Sequence, residues 1–181
     1  MWYVIQVRTG AEESIRIQCG KLIDRHAMER CFIPYCEKMK RYHGEWHKEK
    51  LILFPGYLFV VSQDVEALFL ELNRIIGLTK LLGTGNVIVP LTLEEESFLK
   101  QMGNDDQIVT MSKGLIVNNQ VIVLAGPLKG REGYIRKVDR HKRRARLELH
   151  MFGRNQNVEL GLEILEKIED ISNDREKTNL L

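Results

Sequence analysis

Cysteine is scarce in this chain of 181 residues: Cys19, Cys31 and Cys36 are the only three. An odd count without paired spacing is a poor disulfide framework and suits a reducing compartment. Long apolar runs are missing too. The longest, 51–61, has eleven residues and is broken by Pro55 and Gly56, about half of the ~20 a membrane-spanning helix needs. The opening Met1-Trp2-Tyr3-Val4 has no basic leader before an apolar stretch, so neither a secretory signal nor a membrane association is expected. There is almost no excess charge of either sign. With 27 Lys and Arg against 25 Asp and Glu, the net charge is +2, which excludes a uniformly basic nucleic-acid coat but not a local basic patch. The 44% hydrophobic and 29% charged content excludes wholesale disorder. The expectation is a soluble, cytoplasmic, monomeric protein of one domain or two small ones.

Catalytic signatures are also missing. The glycines at 83, 85, 126, 130 and 133 are followed by no Gly-Lys-Ser/Thr, so there is no phosphate loop. No serine has nucleophile-elbow flanks, and Glu94, Glu95 and Glu96 splay around a helix start rather than pairing. Cys31, Cys36, His43 and His47 fall within seventeen residues, but their spacing only loosely resembles a zinc finger and the intervening loop is too short. The reading is a binding protein, not an enzyme, with no metal and no cofactor.

The pattern along the chain divides in two. Residues 2–7 are aromatic and β-branched, as in a strand. Over 11–26, Ile15, Cys19, Leu22 and Ile23 recur at helical spacing and are expected to face inward. Residues 30–39 and 45–61 read as extended around a His43-Gly44 hairpin tip. Residues 64–74 form a second helix through Val65, Leu68, Phe69 and Leu72. Gly83-Thr84-Gly85-Asn86 makes a turn, and Thr92 with Glu95 forms a capping box for a third helix. The stretch 103–112 loses periodicity and reads as a linker. Beyond it come short strands alone, at 121–125, 133–138, 145–151, 157–160 and 164–168, which point to a small β-barrel. Gly126-Pro127, Gly130, Gly133 and the β-branched runs argue against this segment folding as helices. The expected class is α+β. An N-terminal α/β sandwich at 1–103, an antiparallel sheet with helices, is joined by a linker at 104–114 to a five-stranded SH3-like barrel at 115–169. A flexible tail follows at 170–181.

Three features suit binding. Between residues 129 and 146 there are nine basic residues and two acidic ones, with Arg140, Lys142, Arg143, Arg144 and Arg146 at or beside an expected hairpin tip where side chains can fan toward phosphates. A smaller cluster, Lys38, Lys40, Arg41, His43, His47, Lys48 and Lys50, surrounds the first hairpin; Lys48 and Lys50 should share a strand face opposite Glu49. Each cluster also reads as a solvated arm. Phe54-Pro55-Gly56-Tyr57-Leu58-Phe59 sets large aromatics beside a bend, either as core or as an interface anchor.

On these residues the chain resembles the NusG family of transcription elongation factors. Trp2-Tyr3-Val4-Ile5-Gln6-Val7 and Phe54-Pro55-Gly56-Tyr57-Leu58-Phe59-Val60 resemble its N-terminal domain. Residues 121–138, with Phe152-Gly153-Arg154 and Val158-Glu159-Leu160, resemble its KOW barrel. The resemblance spans roughly 2–102 and 118–168, in the family's order. It implies that Phe54, Pro55, Tyr57 and Phe59, with Gln6 beside them, grip the clamp of RNA polymerase's largest subunit. Arg8, Lys21 and Arg25 are implied to contact non-template DNA, and Asn73-Arg74 lies where some relatives read bases through an Asn-Thr pair. In the barrel, Leu128, Lys129, Phe152 and Arg154 match positions that meet Rho or a ribosomal protein. The heavy charge of 140–146 suggests a specialised paralogue of the LoaP or RfaH kind, a processive antiterminator recruited by a nascent RNA hairpin or a DNA element. The alternatives are a general NusG coupling polymerase to Rho or the ribosome, and a ribosome-associated KOW protein that binds RNA.

Overall fold

A computed structural model of the chain describes residues 1–81, 83–84, 87–88 and 90–169. Residues 85 and 86 of the expected glycine turn, and the tail expected at 170–181, lie outside the described residues.

Strand β1 (Trp2–Val7) leads into α1 (Glu12–Leu22), followed by β2 (Arg30–Phe32), β3 (Tyr35–Tyr42), β4 (Glu45–Ile52), β5 (Tyr57–Val61) and α2 (Val65–Leu72). Next come β6 (Leu78–Leu81), β7 (Gly83–Thr84), β8 (Val87–Ile88), α3 (Leu93–Met102) and β9 (Ile108–Val109). The second half contains β10 (Ser112–Val117), β11 (Gln120–Ala125), β12 (Ile135–Asp139), β13 (Arg144–Met151) and β14 (Arg154–Ile168). The main N-terminal sheet has the order β2-β5-β1-β6, and the barrel sheet β11-β10-β14-β13-β12. The α+β class and the five-stranded C-terminal unit are as the sequence predicts.

The alternation of β1 and β5 gives the N-terminal sheet two different faces. Tyr3, Ile5, Val7, Leu58 and Val60 pack with Ile15, Cys19, Leu68 and Leu72 of the two first helices. Trp2, Val4, Tyr57 and Phe59 point the other way, toward Leu99 and Met102 of α3 and the core of the barrel. One apolar cluster therefore runs without a break from the N-terminal sheet into the barrel.

Several expectations need correcting. Helix α1 stops at Leu22, and Leu22 is 49% exposed rather than inward: Ile15 and Cys19 already fill the helix's contact stripe, and Ile23 is buried beyond its end. Phe69 likewise turns outward on α2 at 47% exposure. The stretch read as linker contains β9, which pairs in parallel with β3 through Tyr35 to Ile108 and Cys36 to Val109. Strand β10 was missed because Gly114 and the neighbouring polar residues hide its alternation. The two last predicted strands are a single β14 of fifteen residues; Gly161, between the two expected strands, stays in the ladder opposite Arg144. The Thr92 and Glu95 capping box of α3 forms as expected.

Candidate functional site

The aromatic turn is built on a buried carboxylate. The Tyr57 N–H donates to the Phe54 carbonyl at 3.2 Å, closing a turn with Pro55 second and Gly56 third. Gly56 has φ +84°, which that turn type requires of its third residue. A side chain there would also meet Thr9 Oγ1 at 3.2 Å. Glu12, 2% exposed, accepts from the backbone N–H of Gly56 and of Gly10, both at 2.7 Å. One side chain thus ties the start of α1 to the turn. Its acidic position before an amphipathic helix reads from sequence only as a favourable first-turn charge.

Gln6 pairs with Tyr57, and Val4 with Phe59, across the β1–β5 ladder. Cross-strand partners share a face, so Gln6, Tyr57 and Phe59 stand side by side, as the resemblance implies. Pro55 is exposed. Phe54, Tyr57 and Phe59 are 3%, 6% and 0% exposed. What covers them is the barrel: the Phe152 ring lies 5.3 Å from Phe54, 5.2 Å from Tyr57 and 5.7 Å from Phe59, centroid to centroid. Arg154 reaches over the Tyr57 ring at 5.4 Å.

Phe152 occupies the β13–β14 turn at φ 58°, a left-handed conformation that costs a bulky residue about 1–2 kcal/mol. Its backbone N–H donates to Glu95 Oε1 at 2.8 Å, while Glu95 Oε2 accepts from Thr92 N at 2.9 Å in the capping box. The barrel touches the N-terminal unit at further places. Arg131 donates to Gln101 Oε1 at 2.6 Å, and Tyr134 meets Phe98 edge-on at 5.5 Å. The Cys36 thiol donates to the Glu159 carbonyl at 3.8 Å, and burial raises its pKa above the ordinary thiol value. Gly161 is packed so closely that a Cβ would strike the Met111 sulfur and come within 2.6 Å of the Glu37 carbonyl. Glu95, Glu12 and Gly161 were not singled out as functional residues in the sequence. Their only signals were a capping box, a first-turn acid and a glycine inside a strand.

The basic residues divide differently from the expected clusters. Lys40 pairs with Glu49 at 2.9 Å and Lys48 with Glu37 at 3.3 Å. Lys50 Nζ lies 4.1 Å over the Tyr35 ring, and Arg41 Nε donates to the Gly44 carbonyl at 3.3 Å. His43 at φ 51° forms the tip with Gly44. In the barrel, Arg144 and Arg146 share Glu159, and Arg143 pairs with Glu163 at 2.8 Å. The Arg143 guanidinium also sits 4.6 Å over the Trp46 ring, so the two basic hairpins meet. Arg140 and Lys142 are exposed in the turn beside them.

Arg8, Lys21, Arg25, Asn73 and Arg74 are all exposed. Arg8 precedes α1 and Lys21 closes it, so about 15 Å of helix lies between them. The Ile76 carbonyl accepts from Gln18 Nε2 at 3.3 Å, which places Asn73 and Arg74 beside α1; Arg74 is held by both oxygens of Glu71. Leu128 does not serve as a surface contact. It is 0% exposed in the barrel's own core, anchored by its N–H to Ser112 Oγ at 3.1 Å, whereas Lys129 is exposed.

Cys31, Cys36, His43 and His47 are not brought together. Cys31 lies against Cys19, whose thiol, together with burial, pushes the Cys31 pKa up, while His47 stacks on Tyr42 at 3.8 Å. No cluster of three or more metal-ligating residues occurs among the described residues. No described helix is long and apolar enough to cross a membrane.

The fold and site define a modular binding protein. A mixed α/β domain presents an aromatic turn, and a small barrel on the same chain covers it. Comparison with known proteins narrows the class. The family model "Transcription termination factor nusG" matches residues 1–100 and the "KOW motif" model matches residues 117–150. The chain is 27% identical over 175 residues to the transcription termination/antitermination protein NusG of Bacillus subtilis, covering 92% of this chain and 98% of that one. It is 26% identical over 174 residues to the NusG of Pasteurella multocida, covering 92% and 94%. A solved structure described as "Domain interaction in Thermotoga maritima NusG" has the same fold, with a TM-score of 0.53, 20% identity, and coverage of 88% of this chain and 92% of that one. The chain belongs to the NusG family of transcription termination and antitermination factors.

Proposed function

We propose that this protein binds RNA polymerase through the aromatic turn, suppresses pausing and termination, and acts as a processive antiterminator recruited by nascent leader RNA. The observation that carries the reading is the covered patch. Phe54 and Tyr57, with Gln6 and Pro55 alongside, form an apolar surface at a bend, the kind of surface a protein partner buries. Its occupant is a separate small barrel that meets it through the Phe152 ring, the Tyr134–Phe98 contact, a shared apolar cluster, a few polar contacts and a close-packed glycine; on this reading the barrel leaves and the clamp of the largest polymerase subunit takes its place. Domain release therefore precedes polymerase docking, and the two compete for one surface. The basic hairpins and Arg8, Lys21, Arg25 and Arg74 supply phosphate contacts to RNA or to the non-template strand.

The end-to-end match to general NusG proteins supports a second reading, coupling of polymerase to Rho or a ribosomal protein. In that case Phe152 and Arg154, both engaged on the N-terminal unit, become available to the partner only after release. Transcription past a terminator, with and without the native leader RNA, separates the two. Read-through that depends on the leader supports the antiterminator; leader-independent elongation with Rho capture by residues 113–170 supports the coupler. Tyr57→Ser should abolish polymerase capture, and retention of capture would reject both.

A further inference from the structure

The two basic hairpins meet along a seam that exists only while the domains are docked. Lys38, Lys40, Tyr42 and His47 share one face of the β3–β4 hairpin, since Lys38 pairs with Glu49, Lys40 with His47 and Tyr42 with Glu45. On that face the Tyr42 and His47 rings stack at 3.8 Å and 11°, and Tyr42 is 44% exposed. From the barrel, Arg144 pairs with Gly161 and Arg146 with Glu159 across the β13–β14 ladder. The outer side of that ladder is the one turned to the hairpin, because a Cβ on Gly161 would point at the Glu37 carbonyl. Arg143 lies over Trp46, which pairs with Arg41 on the opposite face of the hairpin, so it joins the barrel to the hairpin tip from the other side.

Charge along this seam is not balanced. Arg144 and Arg146 divide the single carboxylate of Glu159, and Lys38 makes no ion pair among the described residues. Lys40 is paired with Glu49 on the same face, where Glu45 also lies, so the bases Lys38, Lys40, Arg144 and Arg146 exceed the acids Glu45, Glu49 and Glu159 only slightly, and a polyanion laid along the seam meets that positive excess. An exposed, already stacked ring pair offers a base a flat surface at low ordering cost.

We propose that this seam is a composite site for single-stranded RNA, with bases stacking on Tyr42 and His47 and phosphates bridging Lys38 and Lys40 to Arg144 and Arg146. The site rests on the RNA-recruitment reading above and deepens it. RNA binds the docked form, in which the aromatic turn is covered. Clamp docking opens the chain, splits the site and releases the RNA. The docked protein is thus the form that searches for the transcript, and RNA and polymerase occupy opposite conformations of the same molecule.

Fluorescence anisotropy of the full chain with a labelled oligouridylate of roughly ten nucleotides, near 0.1 M salt, tests this. Tyr42→Ala should weaken binding about tenfold, within the range of a lost stacked base, and Arg146→Ala should weaken it and lower its salt dependence, as loss of a phosphate contact does. Phe152→Asp lies away from the proposed bases and phosphates, and Gly161→Val lies opposite Arg144; both separate the domains, and each should weaken binding by a similar factor. Tight RNA binding that survives both domain-separating variants overturns the composite site while leaving recruitment by a single hairpin standing. Absence of any RNA binding overturns both, with polymerase capture still judged on its own. Tighter binding of oligothymidylate than oligouridylate assigns the seam to a DNA strand and overturns the choice of RNA.

Discussion

Glu95 accepts the Phe152 backbone N–H at 2.8 Å with the one carboxylate oxygen that its helix cap leaves free. The same side chain starts α3 and fixes the tip of the barrel's longest hairpin. A charge-assisted bond of this kind contributes about 1.5–3 kcal/mol, and the partly buried Phe152 ring adds less than the roughly 3 kcal/mol of a fully buried one. Against these stand the left-handed backbone at Phe152 and a Tyr57 hydroxyl that is buried without a partner among the described residues. Favourable and unfavourable contributions of similar size at this contact suit a reversible cover rather than a permanent interface.

Phe152→Ala should open the chain. Truncating a ring packed against three aromatics costs the docked form about 2–3 kcal/mol, taken below the full core range because Phe152 is only partly buried. That shifts the docked-to-open ratio by a factor of about 30 to 150. Polymerase capture should strengthen, and the barrel's own melting should stay unchanged because Phe152 lies outside its core. Unchanged or weaker capture would mean that the barrel does not compete for the turn.

Tyr57→Phe should act in the opposite direction. Docking buries the hydroxyl and gives it no partner among the described residues, a penalty of about 1–3 kcal/mol that the open form does not bear. Removing the oxygen therefore favours the docked form and lowers polymerase capture, even though the apolar surface is retained. If capture rises with Tyr57→Phe, the hydroxyl is satisfied in the docked state and the proposed imbalance is absent.

Much of this was legible in the sequence where a local pattern decides the outcome. The capping box at Thr92 and Glu95, the His43-Gly44 tip and the period-two alternation of residues 2–7 need only near neighbours. The alternation even separates Trp2 and Val4 from Tyr3 and Ile5, hence the aromatic face from the helix-covered face. The cover itself was not legible. Phe152 looks like a turn residue exposed to outside partners until the barrel is placed, and Gly161 looks like a gap between two expected strands until Met111 and the Glu37 carbonyl are seen against it. Leu22 and Phe69 kept the helical period yet point outward, because period fixes a stripe but not its width. Leu128 was assigned to the surface by analogy of position, whereas the barrel core claims its side chain.

Glu12→Ala should destabilise the N-terminal unit and loosen the aromatic turn that Glu12 holds. One buried backbone donor, Gly56 N, and one partly buried donor, Gly10 N, lose their acceptor at once, a loss of about 2–4 kcal/mol. Glu12→Gln should recover only part of this, since an amide can present one acceptor oxygen and must turn its NH2 toward the other donor. Thermal unfolding should show Glu12→Ala least stable and Glu12→Gln between it and the native protein; equal stability of all three would exclude the bridging role.

Gly161→Val should open the chain from the opposite end of the interface, and Cys36 reports on it. The substituted side chain meets the Glu37 backbone only when the domains are docked; Met111, next to Ser112 of β10, is beside it in both forms but has a flexible side chain that can move aside, and valine suits a strand otherwise. Cys36 is fully buried against the Glu159 carbonyl in the docked form. Burial disfavours its thiolate and raises its pKa, and the thiolate is the species that alkylates. At pH 8 iodoacetamide should therefore modify native Cys36 slowly, with a rate that keeps climbing as pH rises above the ordinary thiol range. In Gly161→Val both barriers fall together: the thiol gains access, its pKa returns toward the ordinary value, and the rate at pH 8 should rise at least tenfold. Cys19 and Cys31, whose surroundings lie within the N-terminal unit, should keep their native rates. Acceleration of all three cysteines alike would mean that the variant unfolds the N-terminal unit rather than releasing the barrel. No acceleration of Cys36 would mean that the domains remain docked despite the added side chain.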